Sequence, residues 1–566
     1  MPRTPVFRLL QRTLTLARLA DGTGEPVDEL VDRWRSSRRV GRREVLAAGG
    51  AAGLGLVASA CAPRAAPPDA PPLARPSAHR APVVIVGAGI SGLTAAYRLA
   101  QAGVPVRVLE GQNRVGGRML SLRNRFPDGQ VIELGGELVD SNHTHLRGLA
   151  AELGIEFDDL AETGIDTTVW HFGGARRSDR EIIEAWRPVA QAVARDLEAI
   201  RGDRDVSYRT PLGAESLDRL SLAEWLDRHG VTGWFRDLLD VGYTTEYGLE
   251  IGDQSALNLL LWIDPAPDPF NIYGDSDERY HVRGGNDLIT HALARRLEGA
   301  IETTMVLEAI RQRADGQYVL ACKKGGGTTE VIASHVLLTL PFTMLRQVTI
   351  DLALPAPTRL AVDTLGYGNN AKLMIAFARR VWREAHSSNG TVVTDLPFQV
   401  SWETSRAQGG AAGVLTNFTG GRQALRVGEG SAADQARAVV ADLDRVFPGI
   451  AATRAGMPEA RFHWPTHPFV RASYAALRPG QWTTVHGASG EAVGGLHFSG
   501  EHTSLQAQGF MEGGCETGER AAREIIAQVG TAQRSSVAAA IEARLRHSTA
   551  ARRRRLAVAL GAPERA

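Results

Sequence analysis

The chain is predicted to be an α/β protein, a Rossmann-like dinucleotide-binding domain with an interleaved mixed α+β domain, and three observations carry that prediction. Val83-Val84-Ile85-Val86 is a short β-branched run with the length and character of a buried parallel strand. Gly87, Gly89 and Gly92 follow in G-x-G-x-x-G spacing, and Ser91 to Ala102 reads as a small-residue helix. Val106 to Leu109 is a second strand, ended by Glu110 eighteen residues after Gly92. In such a unit the glycines permit a tight turn, close backbone approach to a pyrophosphate, and packing of helix on sheet. The N–H groups at the helix start face the phosphate, and the acid accepts ribose hydroxyls. A looser cluster, Gly53-Leu54-Gly55, has no strand before it and no acid behind it, so it is not read in this way.

Composition narrows the remaining classes. The 566 residues are 43% hydrophobic and 22% charged with a net charge of +1, so no global field marks the chain for nucleic acid. The cysteines Cys61, Cys322 and Cys515 have neither metal-ligand spacing nor the density of a disulfide framework. Basic charge is almost entirely arginine, Lys323, Lys324 and Lys372 being the only lysines.

Residues 1–60 are read as a Tat-like signal region. Arg42-Arg43 precedes Val45 to Ala60, a stretch with no charge, too short and too weakly apolar for a membrane span but suited to a signal h-region. Ala58-Ser59-Ala60 forms an A-x-A cleavage site, and a lipid anchor on Cys61 stays open beside it. These features predict export to the periplasm or beyond, with the Tat machinery as a partner. Residues 61–81 form a Pro-rich linker.

Further blocks follow the glycine turn: Arg114-Val115-Gly116-Gly117-Arg118, Glu133-Leu134-Gly135-Gly136-Glu137, His497-Phe498-Ser499-Gly500-Glu501-His502 and Gly509-Phe510-Met511-Glu512-Gly513-Gly514. With them the region from Pro82 to Gln528 resembles the flavin-containing amine oxidases, a family that includes monoamine, polyamine and L-amino acid oxidases. The resemblance implies FAD as cofactor. It places Gly87, Ala88, Gly89, Ile90, Ser91, Gly92, Glu110, Gly117, Arg118, Gly135, Gly136, Glu137, Val306, Glu501 and Met511 at the cofactor, with Val306 at the adenine and Glu501 at the ribityl chain. From the residues alone, Arg118 is a fork donor suited to phosphate, and the glycine pairs leave room beside a flat ring. Monoamine oxidases anchor flavin through a cysteine, but the matching position here is Ala472 or Ser473, so the FAD is expected to be non-covalent.

The expected segments are a first FAD-binding piece at 82–150, a helical substrate-domain piece at 151–275, and a second FAD-binding piece at 276–340. The substrate-binding domain follows at 341–490, the last FAD-binding piece at 491–530, and a basic helical tail at 531–566. Helices are read over 144–155 and 182–200, the latter with a bend at Pro188. No second strand–glycine turn–helix unit is found for NADPH, so electrons are expected to come from substrate and leave to molecular oxygen or another acceptor.

Lys372 opens an apolar strand that runs to Phe377, where alternation carries it into a cleft. A buried lysine can lose its proton whereas an arginine cannot, which gives a chain that otherwise uses arginine a reason to keep a lysine there. In amine oxidases the matching lysine holds a water near flavin N5, so Lys372 is the catalytic candidate. Trp464, Tyr474 and Phe510 are the pocket aromatics, the last two as the rings that flank the flavin in relatives; Trp464 serves equally well as core packing. Asp140 follows the glycine pair where several amino acid oxidases have an arginine, and some polyamine oxidases carry an acid there. The expected partner is thus a small-molecule amine, oxidised at the carbon beside nitrogen to an imine with hydrogen peroxide as co-product. An L-amino acid oxidase using Arg283 or Arg422, and a flavin desaturase or isomerase of an apolar substrate, stay open as alternatives. A homodimer is equally open.

Overall fold

The computed structural model describes residues 81–163, 167–200, 206–261 and 277–529. The Tat-like region, Cys61, the linker up to residue 80 and the tail 531–566 lie outside the described residues.

Val83–Val86 is the middle strand of a five-stranded sheet. It pairs in parallel with Val106–Leu109 on one side and His335–Leu338 on the other, and Ile301–Glu302 and Leu496–Phe498 form the edges. The run is continuously apolar because both faces are covered. Val83, Ile85, Val108 and Leu337 pack in one core with the helices Ile90–Gln101, Asp287–Arg296 and Met511–Val529. Val84, Val86, Leu109 and Leu338 face the opposite core, beside Leu307, Ile310, Leu320 and Val331 of a four-stranded sheet. In that sheet Lys323 and Lys324 end a hairpin strand and are exposed, as a polar hairpin requires.

The second domain is built on a seven-stranded sheet in the order 459–463, 370–377, 413–420, 400–403, 392–394, 169–172, 175–177. Here the segment expected to be helical differs. It does contain the helices Asp179–Glu198, Leu222–Arg228 and Gly233–Tyr247, and Pro188 lies inside the first of them. It also gives this sheet Val169–Phe172 and Ala175–Arg177, while Phe157–Asp159 pairs with Tyr280–Val282. Runs of three or four residues carry no measurable periodicity, so their pairing is decided by tertiary partners.

Asn370–Phe377 is buried along its whole length, not on one face. Leu373, Ile375 and Phe377 pack against the helix Ala432–Val446, and Met374 and Ala376 against Phe126, Ile132 and Leu134 of the first domain. Lys372 shares the second face through the period of two, which aims it at the cofactor domain.

The closing helix runs Met511–Val529. Its Glu516, Glu519, Arg520 and Arg523 are polar by pattern, yet Glu519 is fully buried. It accepts from Arg98 at 2.8 Å and faces His145 Nδ1 at 2.8 Å, because the helix is sandwiched between Ile90–Gln101 and Thr144–Glu152. Glu512 in its first turn accepts from the backbone N–H groups of His145 and Leu146, and so caps the start of the helix Thr144–Glu152. Cys515 is buried in the core as filler, its thiol pushed well above the usual range by burial. Among the described residues no helix is long and apolar enough to cross a membrane.

Candidate cofactor and substrate cavity

A cavity of about 540 Å³ begins at the glycine turn, passes Glu110 and Val306, and ends among Lys372, Trp402, Tyr474 and Phe510. This is within the usual size of a ligand site. Gly87 has φ +111°, and a Cβ on Gly92 would stand 2.0 Å from the Gly87 carbonyl oxygen, so no side chain fits within the turn. Gly87, Gly89, Ile90 and Ser91 form the wall, whereas Ala88 and Gly92 lie behind it. Both were expected at the cofactor, and both support the turn. Ala88 does so by donating its N–H to Glu110 Oε2 at 2.7 Å. Glu110 also accepts from Gln112 N at 2.8 Å, and burial raises its carboxyl above the ordinary range against those two bonds.

Gly117, Gly135, Gly136, Val306, Glu501 and Met511, all expected at the cofactor, line the cavity. A Cβ on Gly136 would sit 2.8 Å from Met511 Sδ, which keeps this wall flat. Two polar residues of the wall, Arg118 and Glu501, also bond to each other. Arg118 was assigned to phosphate, but its Nη1 donates to Glu501 Oε1 at 2.8 Å and to the Ser473 carbonyl at 2.9 Å. Glu501 was assigned to the ribityl chain, yet besides Arg118 it accepts from Ala475 N at 3.2 Å and Gly509 N at 2.8 Å. The pair ties three chain segments together at the wall.

The far end is charged and aromatic. Lys372 Nζ donates to Glu137 Oε2 at 2.7 Å, to Gly135 O at 2.8 Å and to Glu133 O at 3.2 Å. Three acceptors match the three N–H donors of a lysine ammonium. Glu137, expected at the cofactor, turns its carboxylate to this lysine. Burial raises the Glu137 carboxyl, but Lys372, Thr404 and Trp402 more than offset that and hold it below the usual range. Trp464 belongs to the wall, fixed by its Nε1 donating to Leu134 O at 2.9 Å. Tyr474 and Phe510 share the same cavity; the Tyr474 hydroxyl donates to Glu246 O at 2.8 Å, and the Phe510 ring meets His143 edge-on at 5.2 Å.

Asp140 also lines the cavity, but its Oδ1 accepts from Glu278 N at 2.7 Å and its Oδ2 faces His143 Nε2 at 3.4 Å. Its carboxylate therefore holds the backbone of a second lining acid, Glu278, which takes φ +42°. Sequence reasoning missed Glu278, Trp402 and Thr404; no spacing connects them to the glycine blocks, and only the fold brings them there. The arginines considered for a substrate carboxylate lie elsewhere. Arg283 pairs with Glu156 and Asp158, Arg422 with Glu250, and neither lines the cavity. Cys322 and Cys515 do not line it either.

The side-chain-free turn, an acid at the end of the second strand, and a flat glycine wall opposite Met511 fit a dinucleotide carrying a planar ring. Fold and cavity together define a dinucleotide-dependent enzyme whose second domain closes a polar and aromatic chamber. More narrowly, the chain belongs to the flavin-containing amine oxidoreductase family, whose model matches residues 90–526. A flavin is the cofactor of that family.

Relatives are distant but nearly co-linear. A Bacillus subtilis (strain 168) protein provisionally named L-amino-acid oxidase YobN is 23% identical over 478 residues, covering 79% of this chain and 95% of that one. A Mycobacterium tuberculosis (strain ATCC 25618 / H37Rv) protein provisionally named flavin-containing monoamine oxidase AofH is 27% identical over 460 residues, covering 79% and 96%. Among solved structures, cyclohexylamine oxidase from Brevibacterium oxydans IH-35A superposes with a TM-score of 0.69 at 21% identity, over 80% of this chain and 100% of that one. At that identity the match speaks for the fold.

Proposed function

We propose that the protein is an oxidase that holds FAD non-covalently and oxidises a small amine at the carbon beside nitrogen. The observation that carries this reading is the pairing of both cations, Arg118 and Lys372, found among the described residues of the cavity wall. Arg118 is engaged by Glu501 at 2.8 Å and Lys372 by Glu137 at 2.7 Å, while Asp140 and Glu278 add negative charge. A substrate carboxylate would meet no uncommitted cation among the described lining residues, and an amine would meet none to repel it. This favours an amine over an L-amino acid, and the buried ion pairs disfavour the all-apolar substrate of a desaturase. The non-covalent assignment is supported by the position of Cys322 and Cys515 away from the cavity.

FAD, when bound, would supply the hydride acceptor, with oxygen as the final electron acceptor and hydrogen peroxide as co-product. The chain's own residues bind and orient. Tyr474 and Phe510 bound the chamber with aromatic walls, Trp464 and Trp402 exclude water, and Lys372 keeps an ammonium at a fixed point. The amine loses a hydride and an N–H proton to become an imine, which water converts to a carbonyl compound and ammonia or a smaller amine. Export by the twin-arginine route belongs to the same proposal, supported by Arg42-Arg43 and the uncharged stretch behind them. The direct test is anaerobic titration of the flavin absorbance with primary amines, polyamines and L-amino acids.

A further inference from the structure

We infer that Glu137 determines specificity, selecting amines over amino acids by cancelling the charge of Lys372. The inference rests on the amine oxidase reading above. Lys372 is 5% exposed and spends its three protons on Glu137, Gly135 and Glu133. Glu137 is itself held from the other side. Its Oε1 accepts from Trp402 Nε1 at 2.9 Å and from Thr404 Oγ1 at 2.6 Å, so both carboxylate oxygens are anchored. The Trp402 ring also faces the ammonium, its centroid 5.6 Å from Nζ. Carboxylate, ammonium and indole thus form one closed unit on the cavity wall.

Such a unit has a chemical consequence. A buried ammonium with only carbonyl partners would be a strong attractor for any anion entering a low-dielectric chamber. With Glu137 in contact, the unit presents no net charge. Arg118 is neutralised in the same way by Glu501. The carboxylate of an amino acid therefore finds no uncommitted counter-ion among the described lining residues, and a neutral amine is free to bind by its apolar and aromatic contacts. Glu137 acts through Lys372, so it is a positioning and charge-balancing residue, not a catalytic one. A purely structural glutamate would affect every substrate alike when replaced. A charge-balancing one changes the ratio between substrate classes.

The experiment compares flavin-loaded wild type with E137Q, E137D, K372M and the E137Q/K372M double variant. Glutamine keeps the size and the acceptor for Trp402 and Thr404 but removes the charge. One readout is the ratio of kcat/KM for L-amino acids to that for primary amines of matching side chain. The other is the Kd for sulfite, an anion that bleaches oxidised flavin by adding to it and so reports local positive charge without turnover. E137Q is expected to bind sulfite about tenfold more tightly and to move the ratio about tenfold towards amino acids. E137D, which keeps the charge, shifts the ratio and the sulfite affinity less than E137Q does, K372M binds sulfite about tenfold more weakly, and the double variant loses both gains. If E137Q does not retain flavin, the sulfite affinity of K372M decides. Equal loss for both substrate classes with unchanged sulfite affinity overturns the inference, as does unchanged sulfite affinity in K372M. A wild type that no amine bleaches sinks the amine oxidase reading instead, and the sulfite measurements still read the charge balance.

Discussion

Arg98 Nη2 lies 2.8 Å from Glu519 Oε1, joining the first helix after the glycine turn to the last helix of the described chain. The guanidinium also reaches Glu152 at 2.8 Å, and Glu519 is met on its other oxygen by His145. Three helices that frame the cofactor end of the cavity are thereby fixed by one buried charge cluster. Removing Arg98 leaves buried Glu519 with His145 alone opposite it among the pairs of this cluster, a loss of about 3–5 kcal/mol. Arg98→Met is expected to lower unfolding free energy by that amount in urea titrations of the flavin-loaded protein. Arg180→Ala, which breaks the exposed pair with Glu184, is expected to cost less than about 1 kcal/mol. Equal effects of the two substitutions would contradict the cluster's role.

The glycine turn leads to a prediction about cofactor retention. A Cβ on Gly92 would stand 2.0 Å from Gly87 O, a backbone atom that cannot move without reshaping the turn. Gly92→Val is expected to yield a folded but colourless protein, with near-native far-ultraviolet circular dichroism and no visible flavin band. A yellow Gly92→Val protein would show that the turn is not the cofactor's cradle.

Acid sensitivity follows from His502. Burial lowers its folded-state pKa from 6.5 to about 4, with Glu501 only partly opposing the shift. In the unfolded chain it titrates near the ordinary value, so between those limits the unfolded state binds more protons. The stability contributed by neutral His502 is fully present above about pH 6.5 and is lost as pH falls towards 4, to a total of about 3 kcal/mol. Buried His486 is lowered to about 4 by burial as well and adds a second contribution in the same window. His502→Leu is expected to flatten the fall of Tm between pH 6.5 and 4 relative to wild type. A slope equal to wild type would sink the assignment.

The parts legible in sequence are those where local chemistry and fold agree. Val83–Val86 and its glycines announce a parallel strand and phosphate turn because covering both faces demands an unbroken apolar run. Lys372 was legible through its rarity and its strand. Its partners were not, since Glu133, Gly135 and Glu137 lie more than 230 positions away in the chain. Arg118 and Glu501 were each recognised singly as cofactor ligands, and only the fold shows that they bind each other. The buried pairing of Glu519 was not legible, because a helical polar pattern does not distinguish water from a buried ion pair. Glu278 carried no signal, as its place on the wall is set by the Asp140 carboxylate.

Tyr474 separates the ring's role from that of its hydroxyl. The hydroxyl donates to a backbone carbonyl and the ring lines the cavity. Tyr474→Phe is therefore expected to change kcat/KM for an amine by less than about fivefold, and Tyr474→Ala to lower it by about a hundredfold. Steady-state kinetics of the two variants test this. A larger loss in the phenylalanine variant than in the alanine variant would assign the function to the hydroxyl instead.

The most direct measurement is the anaerobic visible spectrum of the protein lacking residues 1–60, titrated with primary amines, polyamines and L-amino acids. The account predicts that amines bleach the flavin band, that L-amino acids do not, and that admitting oxygen restores the band. Bleaching by L-amino acids alone would contradict the reading of the paired cations, and a flavin band that no amine bleaches would contradict the amine oxidase assignment itself.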